Sequence, residues 1–445
     1  ARAWLAAARS HDSRFRLFLK HWEIAKMPPT VRDGVLFVDD SQILPSLDAM
    51  VQEFADWGRA CAPAPVAFQY GYSSDQPWWR HLSDPPGEIG GRILAETPNT
   101  EGLYWVDFTA LEVFPPKPVI GVKIYDHEGS FEELLDQWRS VGINTAFVSE
   151  ALAANSDFRQ AATARGVPVF MIAPVFFNPK ALAEDPDLFA VTARGEQARD
   201  DWVEFVCPSR SRYRERRAQE LVDLVRELKP QGVSLDFIRH FAFWERVPPD
   251  AEAESLPHSC FCPHCLAAFS ARMGVEIPSG LADTPSQAAW ILEHQAEAWT
   301  AWRVGLITSM VEQIVTEIRK IDPRIRVNLH VVPWRREDYA NAIINVVGQD
   351  LAGLSNFVDY LSPMTYSFML GRDPSWIHSV VQDLASSSTV RIVPSIQVKE
   401  AYRLQEKLSN EEFESALRQA LRYPSGGVIF WSWEALAQEP AKQRI

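Results

Sequence analysis

From about Pro118 to the C-terminus, short apolar, β-branched runs alternate with longer stretches whose apolar residues recur every three or four positions. That alternation predicts a parallel α/β architecture. The strand-like runs fall at 118–126, 143–150, 167–177, 232–240, 324–334, 358–366, 390–398 and 426–433. Eight strands, each followed by helix-like sequence, is the number that closes a (β/α)8 TIM barrel, here assigned to residues 116–445. Helices are predicted at 130–142, 211–230, 290–320 and 409–424, several ending in Gly or Lys-Pro. Long excursions follow the third strand (178–211) and the fourth (241–287), on the face where barrel active sites are built, and are expected to form a lid or a cleft wall. Residues 1–115 carry four further strand-like runs (14–22, 33–42, 64–72, 101–108) and an amphipathic helix at 44–61. They read either as a small N-terminal α/β domain or as part of a barrel whose other half is not in this chain, which the start at Ala1 rather than Met would suit.

Composition narrows the partners. A net charge of −14, with no long run of Lys or Arg, argues against nucleic acid or an anionic membrane and favours a neutral or cationic ligand. No stretch reaches the length of a membrane span, and no basic-then-apolar leader opens the chain, which leaves localisation and oligomeric state undetermined. Sixteen Trp, many near predicted strand ends, suit either packing or stacking on sugar rings at a barrel mouth.

Three of the five cysteines lie close together as Cys260, Cys262 and Cys265, and a fourth, Cys207, precedes the helix leading to the fourth strand. A C-x-C-x-x-C loop pairs poorly as disulfides but can wrap a tetrahedral Zn²⁺. Cys207 is the preferred fourth ligand, with His258 and His264 as alternates. Four sulfurs leave no open coordination position, so such a zinc would be structural, and no catalytic cofactor is expected. The matching stretches, CPSRSRYR from Cys207 and CFCPHC from Cys260, resemble the cysteine loops of the glycoside hydrolase family 42 β-galactosidases, in which such loops share one zinc. Members of that family carry Asn-Glu at the end of strand four, where this chain has Leu-Asp-Phe.

Barrel enzymes draw their chemistry from strand ends, and here those positions hold carboxylates and aromatics. There is no HxH pair on strand one, no obvious Schiff-base Lys at a strand end and no Gly-rich phosphate loop. Glycoside cleavage needs one carboxylic acid and one carboxylate, so the expected catalytic residues are Asp236 at strand four, as nucleophile or base, and Glu150 at strand two, as general acid. Glu245 and Glu434 compete for the second place. Arg239, His240, His330, Trp334, Tyr366, Gln397, Trp431 and Trp433 are the expected substrate-binding residues. The segment GVSLDFIRHFAFWE (232–245), with the CPS-x-x-x-Tyr-Arg stretch and SPMTY (362–366), resembles the hypothetical glycosyl hydrolase-like barrel families. That resemblance implies a catalytic Asp236 and a site role for Tyr366. The function expected is a glycoside hydrolase acting on an oligo- or polysaccharide. The alternatives are a non-catalytic glycan-binding barrel within a larger assembly and a non-glycosidic hydrolase or lyase using His330 and Asp236.

Overall fold

The computed structural model describes residues 118–445, except 403 and 404, together with six strands of the N-terminal part. The chain divides into two compact units, Ala1–Pro118 and Val119–Ile445. In the first, β1 (Arg16–Lys20), β2 (Thr30–Arg32), β3 (Val35–Asp39), β4 (Val66–Gln69), β5 (Arg92–Glu96) and β6 (Leu103–Asp107) form one sheet in the order β2-β3-β1-β4-β6-β5. β1 runs parallel to β3 and β4, while β2–β3, β4–β6 and β5–β6 are antiparallel. A succession of βα barrel units would pair only in parallel, whereas this sheet is mixed. Four of its strands coincide with the predicted runs. The helix expected at 44–61 lies outside the described residues.

The second unit is the barrel. Its strands are β7 (Val119–Ile124), β8 (Thr145–Val148), β9 (Val169–Pro174), β12 (Gly232–Asp236), β13 (Arg326–Val331), β14 (Tyr360–Pro363), β15 (Arg391–Ile392) with β16 (Ser395–Gln397), and β17 (Gly427–Trp431). A two-stranded hairpin, β10 (Arg199–Asp200) and β11 (Val203–Glu204), lies in the loop after β9. All barrel pairings are parallel, in the order β15-β14-β13-β12-β9-β8-β7-β17-β16. β15 and β16 are two halves of the seventh stave, interrupted at Pro394, which has no N–H to donate. The first half pairs with β14 and the second with β17. Across the interruption Val393 N donates to Leu361 O and Ile429 N donates to Pro394 O, both at 2.9 Å, which closes the ring. All eight predicted strands are present, each shorter than its apolar run.

Alternation along the strands places the site. Phe147, Phe170, Ile172, Val393 and Ile429 form their own buried cluster, with Phe147 and Phe170 stacked at 5.0 Å. Gly121 and Gly232 make room for these rings: a Cβ would stand 2.6 Å from Phe147 and 2.3 Å from Phe170, respectively. Above them runs a polar chain in which Ser362 Oγ donates to Asn328 Oδ1, Asn328 Nδ2 donates to Ser234 Oγ, and Ser234 Oγ meets His330 Nε2 at 3.0 Å. These bonds cross between strands, so Gly232 and Ser234 face the axis, and so does Asp236 two residues further on. The intervening Val233 and Leu235 are fully buried in the larger core shared with the helices.

The outer helices follow ordinary capping rules. Ser130 caps Phe131–Ser140, which buries Leu134, Leu135 and Trp138, and Ser409 with Glu412 forms a reciprocal capping box on Asn410–Ala420. The single helix expected at 290–320 is two, Thr284–His294 and Ala296–Ile321, broken at Gln295. No helix among the described residues is long and apolar enough to cross a membrane.

Candidate active site at the barrel mouth and a cysteine cluster

Asp236 ends β12, and its Oδ1 accepts a 2.8 Å bond from the N–H of Phe237. Phe237 sits at φ 48°, a left-handed conformation that an aromatic residue adopts only where the surroundings impose it. The chain then turns through buried Ile238–Phe243 into a short 3₁₀ turn, Trp244–Arg246. This turn returns Glu245 to within electrostatic reach of Asp236, Arg239 and Lys123. Glu245 Oε2 is covered and has no hydrogen-bond partner. Burial pushes the Glu245 pKa up to about 7, outweighing the opposing pull of Arg239. A carboxyl that holds its proton near neutrality therefore lies within electrostatic reach of the strand-end Asp.

Two buried cations face the pair. Lys123, 2% exposed on β7, donates from Nζ to the Tyr366 hydroxyl at 3.3 Å. Burial lowers its pKa to about 8, against the pull of Asp236 and Glu245. Arg239, equally buried, donates to the carbonyls of His240 and Ala242 and lies over the rings of Phe205 and Phe237 at 4.8 and 5.6 Å. Burial brings it down to about 10, which leaves it charged at neutral pH. Lys123 escaped the strand-end census because it lies mid-strand in IGVKIYD; the usable signal was a Lys two residues after Gly121 inside an otherwise apolar strand.

The remaining predicted residues divide by direction. Tyr366 is buried, its ring stacked on Trp431 at 4.6 Å and its hydroxyl 3.4 Å from Ser395 Oγ, so both belong to the mouth. His330 lies below, in the polar chain, with a pKa lowered to about 3 chiefly by burial, and is neutral there. Gln397 is committed to backbone: Oε1 accepts from Met369 N and Nε2 donates to Lys399 O. His240 turns away from Asp236 and meets the Arg303 carbonyl through Nε2 at 3.1 Å. Trp334 packs edge-on against Tyr339, and Trp433 packs edge-on against Trp138 of an outer helix. Both Trp are buried, and each lies beyond the end of its strand, where the backbone turns the side chain into packing.

Glu150 begins the short helix Glu150–Ala154, and its Oε1 accepts from Arg217 Nη2 at 2.7 Å. It lines a cleft of about 800 Å³ at the ends of β7, β8 and β9 with Tyr125, Ile172, Pro174, Phe177 and Asn178, and its charge acts on Arg217. Glu434 Oε1 accepts from the backbone N–H of Tyr125 at 2.7 Å and from that of Asp126 at 3.4 Å, tying the end of β7 to the short helix after β17. Glu245 therefore lies within electrostatic reach of Asp236, Glu150 is bound to Arg217, and Glu434 is bound to the backbone after β7.

Cys207, Cys260, Cys262 and Cys265 are all buried and free, and their sulfurs lie within 4.8 Å of one another. The Cys207 sulfur is 3.7 Å from that of Cys262 and 3.3 Å from that of Cys265. Four thiolates around one tetrahedral zinc at 2.3 Å would stand about 3.8 Å apart, so the cluster fits a metal ion. Of the alternates, His264 Nε2 is occupied with the Ser209 carbonyl, and neither His joins the cluster. Val191 N donates to Cys260 Sγ, which links the loop after β9 to the loop after β12. Arg303, fully buried, brings a cation within electrostatic reach of Cys260 and Cys265.

No protein-family model matches the chain, and no curated protein is similar to it in sequence. Solved structures are similar in fold. The glycoside hydrolase domain of PgaB (BpsB) from Bordetella bronchiseptica superposes with a TM-score of 0.55 at 14% identity, over 73% of this chain and 96% of that one. The barrel of this chain shares its fold with that domain. Two β-galactosidases share it: that of the Antarctic haloarchaeon Halorubrum lacusprofundi (TM-score 0.51, 15% identity, 70% of this chain) and that of the psychrophilic Marinomonas ef1 (TM-score 0.53, 11% identity, 70% of this chain). The chain spans about half the length of these two enzymes, 52% and 54% respectively.

Proposed function

We propose that the protein is a glycoside hydrolase acting on an oligo- or polysaccharide, with Asp236 as the nucleophile or base and Glu245 as the general acid. The observation that carries this reading is that the strand-end Asp236 has within electrostatic reach a second carboxyl, Glu245, whose pKa burial raises to about 7. Separated carboxyl behaviour is what glycoside cleavage requires: Glu245 gives its proton to the leaving oxygen while Asp236 attacks the anomeric carbon or draws a proton from water. Lys123 and Arg239 place two buried cations within electrostatic reach of Asp236. Tyr366 and Trp431 offer a hydroxyl and an aromatic face to the sugar. His330 is not assigned to the chemistry, because it is neutral and bonded within the barrel.

The test is incubation of the wild-type protein with a panel of neutral, amino and acidic polysaccharides, following release of reducing ends. Release from at least one neutral or amino glycan is expected. Binding of several glycans with cleavage of none would replace this reading by the glycan-binding barrel.

We also propose that the cysteine cluster holds a structural zinc. Plasma emission should find one zinc per chain, and stripping it should lower the melting temperature by more than about 5 °C, since metal binding is part of the folding free energy of such a site. Metal-free protein that melts at the same temperature as the isolated form would remove zinc from the account.

A further inference from the structure

The hairpin β10–β11 carries Trp202 at its two-residue turn, with Asp201 at φ 51°. Trp202 is 46% exposed, which is unusual for the largest apolar side chain. Its ring stands nearly perpendicular to Phe177, Phe237 and Phe243, at 81°, 83° and 81°, with centroids 5.6 to 6.1 Å away. Its Nε1 donates to the Tyr402 hydroxyl at 2.8 Å, and Tyr402 is itself 40% exposed. The indole is thereby held by three edge-on rings and one hydrogen bond while nearly half of it stays exposed.

The five rings come from three different loops: Phe177 and Trp202 follow β9, Phe237 and Phe243 follow β12, and Tyr402 follows β16. The third and seventh staves face each other across an eight-stranded barrel, so the Trp202–Tyr402 bond links opposite sides of the mouth. The group is also continuous with the carboxyl pair, because Phe237 directly follows Asp236 and stacks on Phe177 at 4.7 Å. Arg246, next to Glu245, lies over Phe243 at 4.6 Å and is held by Asp200 and Asp201. Asp200 and Asp201 outnumber Arg246 at the hairpin, and the chain as a whole carries a net charge of −14, which disfavours an acidic occupant.

We propose that Trp202 is a sugar-stacking subsite adjoining Asp236, taking the apolar face of a pyranose ring within a chain of uncharged or amino sugars rather than uronates. This inference rests on the glycoside hydrolase reading for its place beside the cleaved bond, but it concerns binding. Tyr402 fixes the indole, the flanking rings keep its edges dry, and Asp200, Asp201 and Arg246 are placed for hydroxyls at the ring's rim. Such a rigid aromatic needs little ordering when it binds.

The experiment uses the full chain carrying Asp236→Asn, so that binding is read without turnover. Tryptophan fluorescence and calorimetry follow titration with neutral, amino and uronic oligosaccharides of two to six sugars. Affinity should rise with length for neutral or amino chains. Adding Trp202→Ala should weaken the longest of them about tenfold, the loss expected when about 50 Å² of apolar contact is returned to water. Trp202→Phe, which keeps an aromatic face, should recover most of it. Equal affinity with Trp202→Ala, or binding of uronic chains alone, would overturn the subsite. Trp202-dependent binding in a protein whose wild type cleaves nothing would uphold the subsite and end the hydrolase reading. Cleavage by the wild type with no Trp202 effect would do the reverse.

Discussion

Asp236→Asn should lower kcat by at least a thousandfold on any glycan the protein cleaves, about 4 kcal/mol of barrier, with the fold intact. Asparagine keeps the size of the side chain and an oxygen to accept from Phe237 N, so the strained turn at φ 48° keeps its hydrogen bond. What disappears is the negative charge facing the buried Lys123 and Arg239, both of which feel Asp236. An amide can neither attack an anomeric carbon nor take a proton from water at a useful rate. Steady-state kinetics beside circular dichroism would separate this loss from unfolding. A variant that is slow only because it is unfolded would not count for the assignment.

Glu245→Gln should have the second largest effect, between about a hundredfold and ten-thousandfold, the range usual for removal of a general acid. The pH dependence carries its signature. Burial raises the Glu245 pKa to about 7, so the proton is present below that pH and leaves as pH rises through it. For the wild type, kcat/KM should therefore fall about tenfold per unit above pH 7. Lys123, lowered to about 8, begins to lose its charge at higher pH and steepens the fall. In Glu245→Gln the limb near 7 should vanish. The loss should also be smallest on substrates such as aryl glycosides of acidic phenols, whose leaving groups need no proton. Glu150→Gln, by contrast, should leave the limb in place, since Glu150 is bound to Arg217. A limb that persists in Glu245→Gln would move the acid elsewhere.

The barrel was legible because its signal is repeated eight times: each apolar run has a strand inside it, and the counting rule needs only the runs. The run ends were less legible, since the apolar residues continue into buried loops such as Ile238–Phe243. Asp236 could be read because Gly232 and Ser234 precede it at period two. Glu245 could not be promoted over Glu150 from sequence, because its place depends on a left-handed Phe237 and a 3₁₀ turn that leave no periodic trace. Glu150 looked like a strand end but is the first residue of a helix capped by Ser149. The same limit explains His240, Trp334 and Trp433. Each adjoins a strand end, and in each case the backbone beyond the strand, not the alternation within it, turns the side chain toward packing. The cysteine spacing foretold the cluster, since a C-x-C-x-x-C loop has few other ways to bury three thiols together.

The paired action of Asp236 and Glu245 is tested most directly by a double-mutant cycle. It consists of kcat/KM for wild type, Asp236→Asn, Glu245→Gln and the double variant on the most rapidly cleaved glycan. Groups that act as one unit are not additive, so the double variant should lie within about tenfold of Asp236→Asn alone. Turnover by Asp236→Asn within tenfold of wild type, or two losses that simply multiply, would contradict the assignment.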